Sequence, residues 1–270
     1  MGVRLSIQHS FRNIKFNPKM IEEIHKLKYQ EDLLAGKTVV ITGAGSGIGR
    51  EIAKTFSDHG ADLILLSKDA EKLNSIHDEI DAKGSNVFIH AIDFEKAEEK
   101  DYENIVIAIK EKFEKIDGLV NNAGILGEKK ALEQYNYSIC QNVLKVNLDA
   151  SFLLTKNIIP LLRKSNNGSV LFTSSGVGRR GRAYWGAYSI SKFATEAMMQ
   201  ILSEELDKTS SVRVNCINPG AVRTKMREIA YPAENPEKNP LPSEILKPYL
   251  YLISDLSIGI NGQSLDAQES

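Results

Sequence analysis

Only two of the 270 residues are cysteine, Cys140 and Cys216, and their separation fits neither a metal knuckle nor a redox pair. They read as two buried thiols in a reducing compartment, which excludes a disulfide-stapled secreted fold. Net charge is missing too, since 34 Lys and Arg against 35 Asp and Glu leave a formal charge of -1. No global field draws in nucleic acid or an anionic membrane. No stretch approaches the roughly 18 consecutive apolar residues of a membrane span, and the N-terminus lacks the apolar core of a secretory signal. Repeats and low-complexity tracts are absent as well. These absences predict a soluble, cytoplasmic protein that binds neither nucleic acid nor membrane. What is present is ordinary, with 42% hydrophobic and 26% charged residues in a length that suits one large α/β domain.

From Lys37 onward, short β-branched apolar runs alternate with longer amphipathic ones, the mark of βαβ units and a parallel sheet. Residues 37–42, 62–66, 86–92, 116–121, 168–173 and 211–218 read as strands. The segment 69–83 reads as a crossover helix, as does the stretch in which Ile105, Ile109 and Phe113 recur at helical spacing. One long helix is expected over about 136–164 and another over about 185–206. Both carry apolar residues on more than one face, Met198, Met199, Ile201 and Leu202 among them, which implies burial against a second subunit. Residues 226–242 contain four prolines and no convincing helix. The first 35 residues read as an extension ahead of the domain, with no acid before Glu22. They could be a presequence, an acylated terminus of the M-G-x-x-x-S type, an extension docking on the core, or a stretch upstream of a true start at Met20.

Two short motifs carry chemistry. "TGAGSGIG" (42–49) follows the first strand and opens the first helix, the setting a phosphate-cradling loop needs. Gly43 suits a tight turn, Gly47 lets backbone approach a pyrophosphate, and Gly49 lets helix pack on strand; Gly45, Ser46 and Ile48 complete the loop. The second motif, "YSISK", sets Tyr188 one helical turn from Lys192, so the two side chains share a face. A plain reading is an aromatic and a lysine on a half-buried helix. The chemical reading is that a nearby ammonium favours phenolate and draws the Tyr pKa down toward neutrality.

"TGAGSGIG", "NNAG" (121–124), "SS" (174–175), "YSISK" and "NPGAVRT" (218–224) occur in that order, and with this spacing the chain resembles the short-chain dehydrogenase/reductase family over roughly residues 36–266. Within that family it looks like a bacterial subfamily of uncharacterised oxidoreductases. The resemblance implies one doubly wound Rossmann domain, a parallel seven-stranded sheet with helices on both faces, and an NAD(P)-dependent enzyme acting on a carbonyl or alcohol. It implies Tyr188 as acid/base, Lys192 on the nicotinamide ribose, Ser175 on the substrate oxygen with Ser174 as the alternative, and Asn147 holding a water in a proton relay. It further implies a cofactor surface of Asp93 with Phe94 at the adenine, Asn121 tying neighbouring strands together, Ala123 and Gly124 where the cofactor passes backbone, and Pro219, Gly220, Val222 and Thr224 at the carboxamide. The resemblance brings no metal, and it brings homodimers or homotetramers. A catalytically silent nucleotide sensor of the same fold is the rival class.

Ser67 and Lys68 stand where NAD enzymes of this fold place an acid for the ribose hydroxyls, so NADP is expected over NAD, which remains possible. Arg179, Arg180 and Arg182 stand between Ser175 and Tyr188, and Arg182 is the candidate for an anionic substrate group unless it faces solvent.

Overall fold

A computed structural model describes residues 18–82 and 84–269. The presequence and acylation readings of the N-terminus lie outside the described residues. The chain runs α1 (Pro18–Lys26), β1 (Thr38–Thr42), α2 (Gly47–Asp58), β2 (Asp62–Ser67), α3 (Ala70–Asp81), β3 (Val87–Ala91), α4 (Glu99–Lys112) and β4 (Gly118–Asn121). It continues through α5 (Tyr137–Leu144), α6 (Ala150–Leu162), β5 (Ser169–Thr173), α7 (Gly176–Arg179), α8 (Gly186–Asp207), β6 (Arg213–Asn218), α9 (Lys225–Ala230), α10 (Lys247–Ile253) and β7 (Ser264–Asp266).

All seven strands are parallel, in the order β3-β2-β1-β4-β5-β6-β7. Parallel neighbours need helical crossovers, and those helices cover both faces, so the inner strands are apolar on both sides. Every residue of β1 and β5 is buried. Successive side chains alternate: Val39 and Ile41 enter the core beneath α2, α3 and α10, whereas Val40 enters the one beneath α4, α6 and α8. Chain order reverses between β1 and β4, and there the loops leaving the strands diverge and open a crevice.

Three expectations are corrected. The stretch read as one helix over 136–164 is α5 and α6 joined by a π turn, Lys145–Asp149, which widens the helix where Asn147 sits. Residues 226–242 do contain helix: Thr224 caps α9 by accepting from Arg227 N, and all four prolines fall beyond its end at Ala230. Burial of the thiols holds for Cys216 but not for Cys140, which is half-buried on α5. Ahead of β1, α1 packs on α10 with Ile21 and Ile24 buried. Among the described residues no helix is long and apolar enough to cross a membrane.

Candidate active site

The crevice is floored by the glycine turn. Gly43 takes φ +68°, and a Cβ there would stand 3.0 Å from Ala123 Cα. A Cβ on Gly49 would stand 2.3 Å from Gly43 O, so the first turn of α2 can press onto the loop at glycine alone. Ser46 precedes α2 in extended backbone, with its side chain making no cap bond. Gly43, Gly45, Ser46, Ser67, Lys68, Asp93, Phe94, Ala123 and Gly124 line one cleft, joined by Asp69, Lys72, Ile92, Glu95, Ile125 and Val146. Lys68 Nζ bonds Glu95 Oε1 at 2.9 Å, and that bond holds its pKa above the ordinary lysine value. A second cation of the cleft, Lys72, pairs with Asp69 at 2.9 Å. Gly47 and Ile48 are half-buried, and Gly49 and Asn121 are buried. Thr224 approaches from the opposite side, where a Cβ on Gly47 would meet its Cγ2 at 3.6 Å.

In the "NNAG" turn the strand tie falls one residue later than its first asparagine suggests. Asn121 donates to Thr155 Oγ1 of α6 at 2.9 Å, whereas Asn122 links three strands: its N–H donates to Thr42 Oγ1, its Nδ2 to Thr42 O, and its Oδ1 accepts from Thr173 Oγ1. Alternation along an extended chain sends Asn121 into the helical layer and Asn122 across the sheet edge.

Tyr188, Lys192, Ser175 and Asn147 converge at the same edge. Ser175 is the extended N-cap of α7, its Oγ accepting from Val177 N and lying against the Tyr188 hydroxyl. Ser174 turns the other way and donates to Glu196. Lys192 Nζ, 4% exposed, donates to Thr173 O at 2.7 Å and lies 5.7 Å from the Tyr188 ring centroid. Asn147, 1% exposed, accepts from Ile125 N at 2.8 Å and donates to Ile125 O and Ser191 Oγ, each at 3.0 Å.

The pKa direction expected for Tyr188 is reversed. Burial pushes the phenol up to about 12, against a smaller pull from the Ser175 hydrogen bond. Lys192, its ammonium committed to Thr173 O at 2.7 Å, does not offset that burial. Burial also lowers Lys192 to about 8, with Cys216 and Glu196 opposing.

Over Tyr188 stands an apolar wall that includes Trp185. Leu126, Val177 and Ala230 cluster with the phenol, and Trp185, Met226 and Tyr231 pack against them. Trp185 lies 5.7 Å from the Tyr188 ring and 6.0 Å from Tyr231, while the exposed Lys129 covers both outer rings and donates to Ala230 O at 3.0 Å. Tyr184, 61% exposed, takes φ +70°, a strained value for a tyrosine at the entrance to α8. Of the three arginines between Ser175 and Tyr188, Arg179 is committed to β7 and Arg182 is exposed. The turn holding Pro219 and Gly220 is braced from beyond β7: Gln268 Nε2 donates to Pro219 O at 2.7 Å and Ala221 O at 2.9 Å. Val222 is buried below it. Among the described residues no group of three His, Cys, Asp or Glu side chains could hold a metal ion.

A doubly wound parallel sheet, a glycine turn at its switch point, and a tyrosine and lysine one turn apart beside the cleft define a nucleotide-dependent oxidoreductase. The short chain dehydrogenase family profile matches residues 37–235, and the chain belongs to that family. It is an NAD(P)-dependent oxidoreductase acting on CH–OH or C=O groups. It is 42% identical over 240 residues to the uncharacterized oxidoreductase YciK of Escherichia coli, covering 88% of this chain and 94% of that one. A Shigella flexneri chain solved complexed with NADP superposes with a TM-score of 0.86 at 42% identity, covering 88% of this chain and 100% of its own. An Escherichia coli CFT073 chain complexed with NADPH does so with a TM-score of 0.86 at 42% identity, covering 89% and 100%.

Proposed function

We propose that the protein is an NADP(H)-preferring oxidoreductase of carbonyls and secondary alcohols in which Tyr188 is the general acid/base. The observation that carries this is the meeting of Tyr188, Ser175, Lys192 and Asn147 at the cleft that opens onto the glycine turn. The glycines fit a dinucleotide, because side chains at Gly43 or Gly45 would fill the cradle: a Cβ on Gly45 would lie 2.9 Å from Ser67 Oγ. When bound, the nicotinamide supplies or accepts the hydride. Ser175 Oγ and the Tyr188 hydroxyl receive the substrate oxygen between them. At neutral pH a phenol raised to about 12 holds its proton, the state required to protonate an alkoxide as it forms. Lys192, charged below about 8, sets a cation beside that developing charge. Asn147 commits its side chain to Ile125 and Ser191, so a water relay runs from its main-chain carbonyl, which takes a 3.2 Å bond from Ser151 Oγ and keeps a second lone pair. The apolar wall of Leu126, Val177, Trp185 and Met226 favours a substrate whose flank next to the carbonyl is apolar. A panel of aldehydes, ketones and quinones with NADPH tests the reading, and no turnover with any of them rejects it.

The NADP preference rests on Ser67 and Lys68 standing where an acid would bind the ribose hydroxyls, and on the two relatives above solved with NADP and NADPH. Titration by quenching of the single Trp185 should give an NADPH Kd about tenfold or more below that of NADH. Lys68→Ala should raise the NADPH value about tenfold, since a charge-assisted bond to phosphate contributes roughly 1.5 kcal/mol, and leave NADH within twofold. Equal binding of the two cofactors by the wild type contradicts the preference.

Phe152, Ile190, Phe193 and Ile201 stand 44–59% exposed on α6 and α8, and we assign this face to a homodimer or homotetramer. Light scattering should return a multiple of 30.0 kDa at micromolar concentration; a monomer mass rejects the assignment. Two free thiols fit a cytoplasmic setting.

A further inference from the structure

Glu196 is a carboxylate in an apolar layer. It continues the stripe of Tyr188 and Lys192 by one more turn of α8 and is 7% exposed. A charge this buried persists only when its oxygens are bonded. Its Oε1 accepts from Ser174 Oγ and, at 2.8 Å, from Ser264 Oγ of β7. Arg179 Nε lies 3.6 Å from that oxygen and donates to Ser264 Oγ at 3.0 Å, while its Nη1 and Nη2 hold Asp266 Oδ1 and Leu265 O, each at 2.7 Å. The carboxylate therefore joins Ser174, two residues ahead of α7, to the strand that anchors the last residue of α7.

Ser174 and Ser175 are consecutive, and Ser175 is extended at φ -162° and ψ 156°, so their side chains point in opposite directions. The face of α8 offers each a partner, Glu196 for Ser174 and Tyr188 two turns away for Ser175. Ser174 N–H is already fixed on Ile217 O at 2.7 Å. Pinning its hydroxyl as well removes the rotation that would exchange the two side chains.

We propose that Glu196 is a positioning residue that holds Ser174 turned away from the substrate side and thereby keeps the Ser175 hydroxyl on Tyr188, an inference resting on the carbonyl chemistry set out above. It touches neither substrate nor cofactor and acts through Ser174. The test compares Glu196→Ala, Glu196→Gln and Ser174→Ala, using phenanthrenequinone and NADPH as probes. Glu196→Ala and Ser174→Ala should each lose tenfold or more in kcat, with NADPH Kd within twofold of wild type. Glu196→Gln keeps an oxygen that accepts from Ser174 and should stay within threefold. A role confined to stability would lower the melting temperature without this split and without rescue by glutamine. Wild-type kcat in Ser174→Ala overturns the proposal, and that variant decides the matter if Glu196→Ala does not fold. A crystal structure of Glu196→Ala, or of Ser174→Ala in its place, should show Ser175 Oγ turned from Tyr188; an unmoved Ser175 overturns the proposal independently of turnover. If the wild type reduces no carbonyl, the functional reading fails while the crystal comparison still decides the role of Glu196.

Discussion

Tyr188→Phe should lower kcat for carbonyl reduction about a thousandfold, roughly 4 kcal/mol in the barrier, while NADPH Kd stays within twofold. The ring is 8% exposed and packed by Trp185 at 5.7 Å, so phenylalanine fills the same space and the fold is undisturbed. What is lost is the hydroxyl, the group proposed above to give a proton to the forming alkoxide. Burial holds its pKa at about 12, so the proton is present throughout the neutral range and the loss should not depend on pH between 6 and 8, a window roughly four or more units below that value. Lys192 cannot take over, because its Nζ is bound to Thr173 O at 2.7 Å. Retention of more than a tenth of wild-type kcat would remove Tyr188 from the acid/base role.

Asn147→Ala should cost the fold about 2–4 kcal/mol and lower the melting temperature by about 5–15 °C, with activity falling in the folded fraction as well. The side chain satisfies both main-chain groups of Ile125 and the Ser191 hydroxyl, and it does so from a π turn that sets it between the crevice loop and α8. Truncation leaves the partly buried N–H and C=O of Ile125 without these partners, costing together about 1–3 kcal/mol beyond any cavity. Gly124 shows how closely the parts fit, since a Cβ there would lie 3.3 Å from Asn147 Oδ1 and 3.8 Å from Lys192 Nζ. Loosening Asn147 therefore loosens the backbone that faces both the cleft and the lysine. A melting temperature within 2 °C of wild type would show that water or a neighbour replaces these bonds.

Six strands are legible because a parallel sheet buries both faces, and runs such as residues 62–66 then read as continuous apolar stretches, whereas the three residues of β7 make no such run. The π turn was not, because Lys145–Asp149 has ordinary helical composition and its widening is set by what Asn147 binds. The prolines of 226–242 argue against a helix there, yet α9 ends at Ala230, before the first of them. Within the site, order and spacing located Tyr188, Lys192, Ser175 and the glycine turn. Asn122 was overlooked for its neighbour, although strand alternation from β4 could have separated the two. Glu196 carried a signal as well, an acid one turn beyond Lys192 on the face already assigned to chemistry. The Tyr188 pKa was beyond reach, since its sign depends on whether burial or the ammonium wins, and distances decide that.

The brace on the Pro219–Gly220 turn has a consequence for the order of assembly. Gln268 supplies two of its bonds, Asp266 accepts from Asn218 Nδ2 at 2.7 Å, and Ala267 N–H donates to Asn218 O at 2.8 Å. A chain emerging from the ribosome meets the glycine turn early, with β1, β2 and β4 all made well before β7, so the phosphate end of the crevice can take shape while the opposite end is still unsupported. Parallel pairing between distant segments is slow to form, and β7 must find β6 across α9 and α10 before the turn is held. The far end of the crevice is thus tied to β7, the last strand of the sheet, whereas the glycine turn is shaped by strands formed long before it.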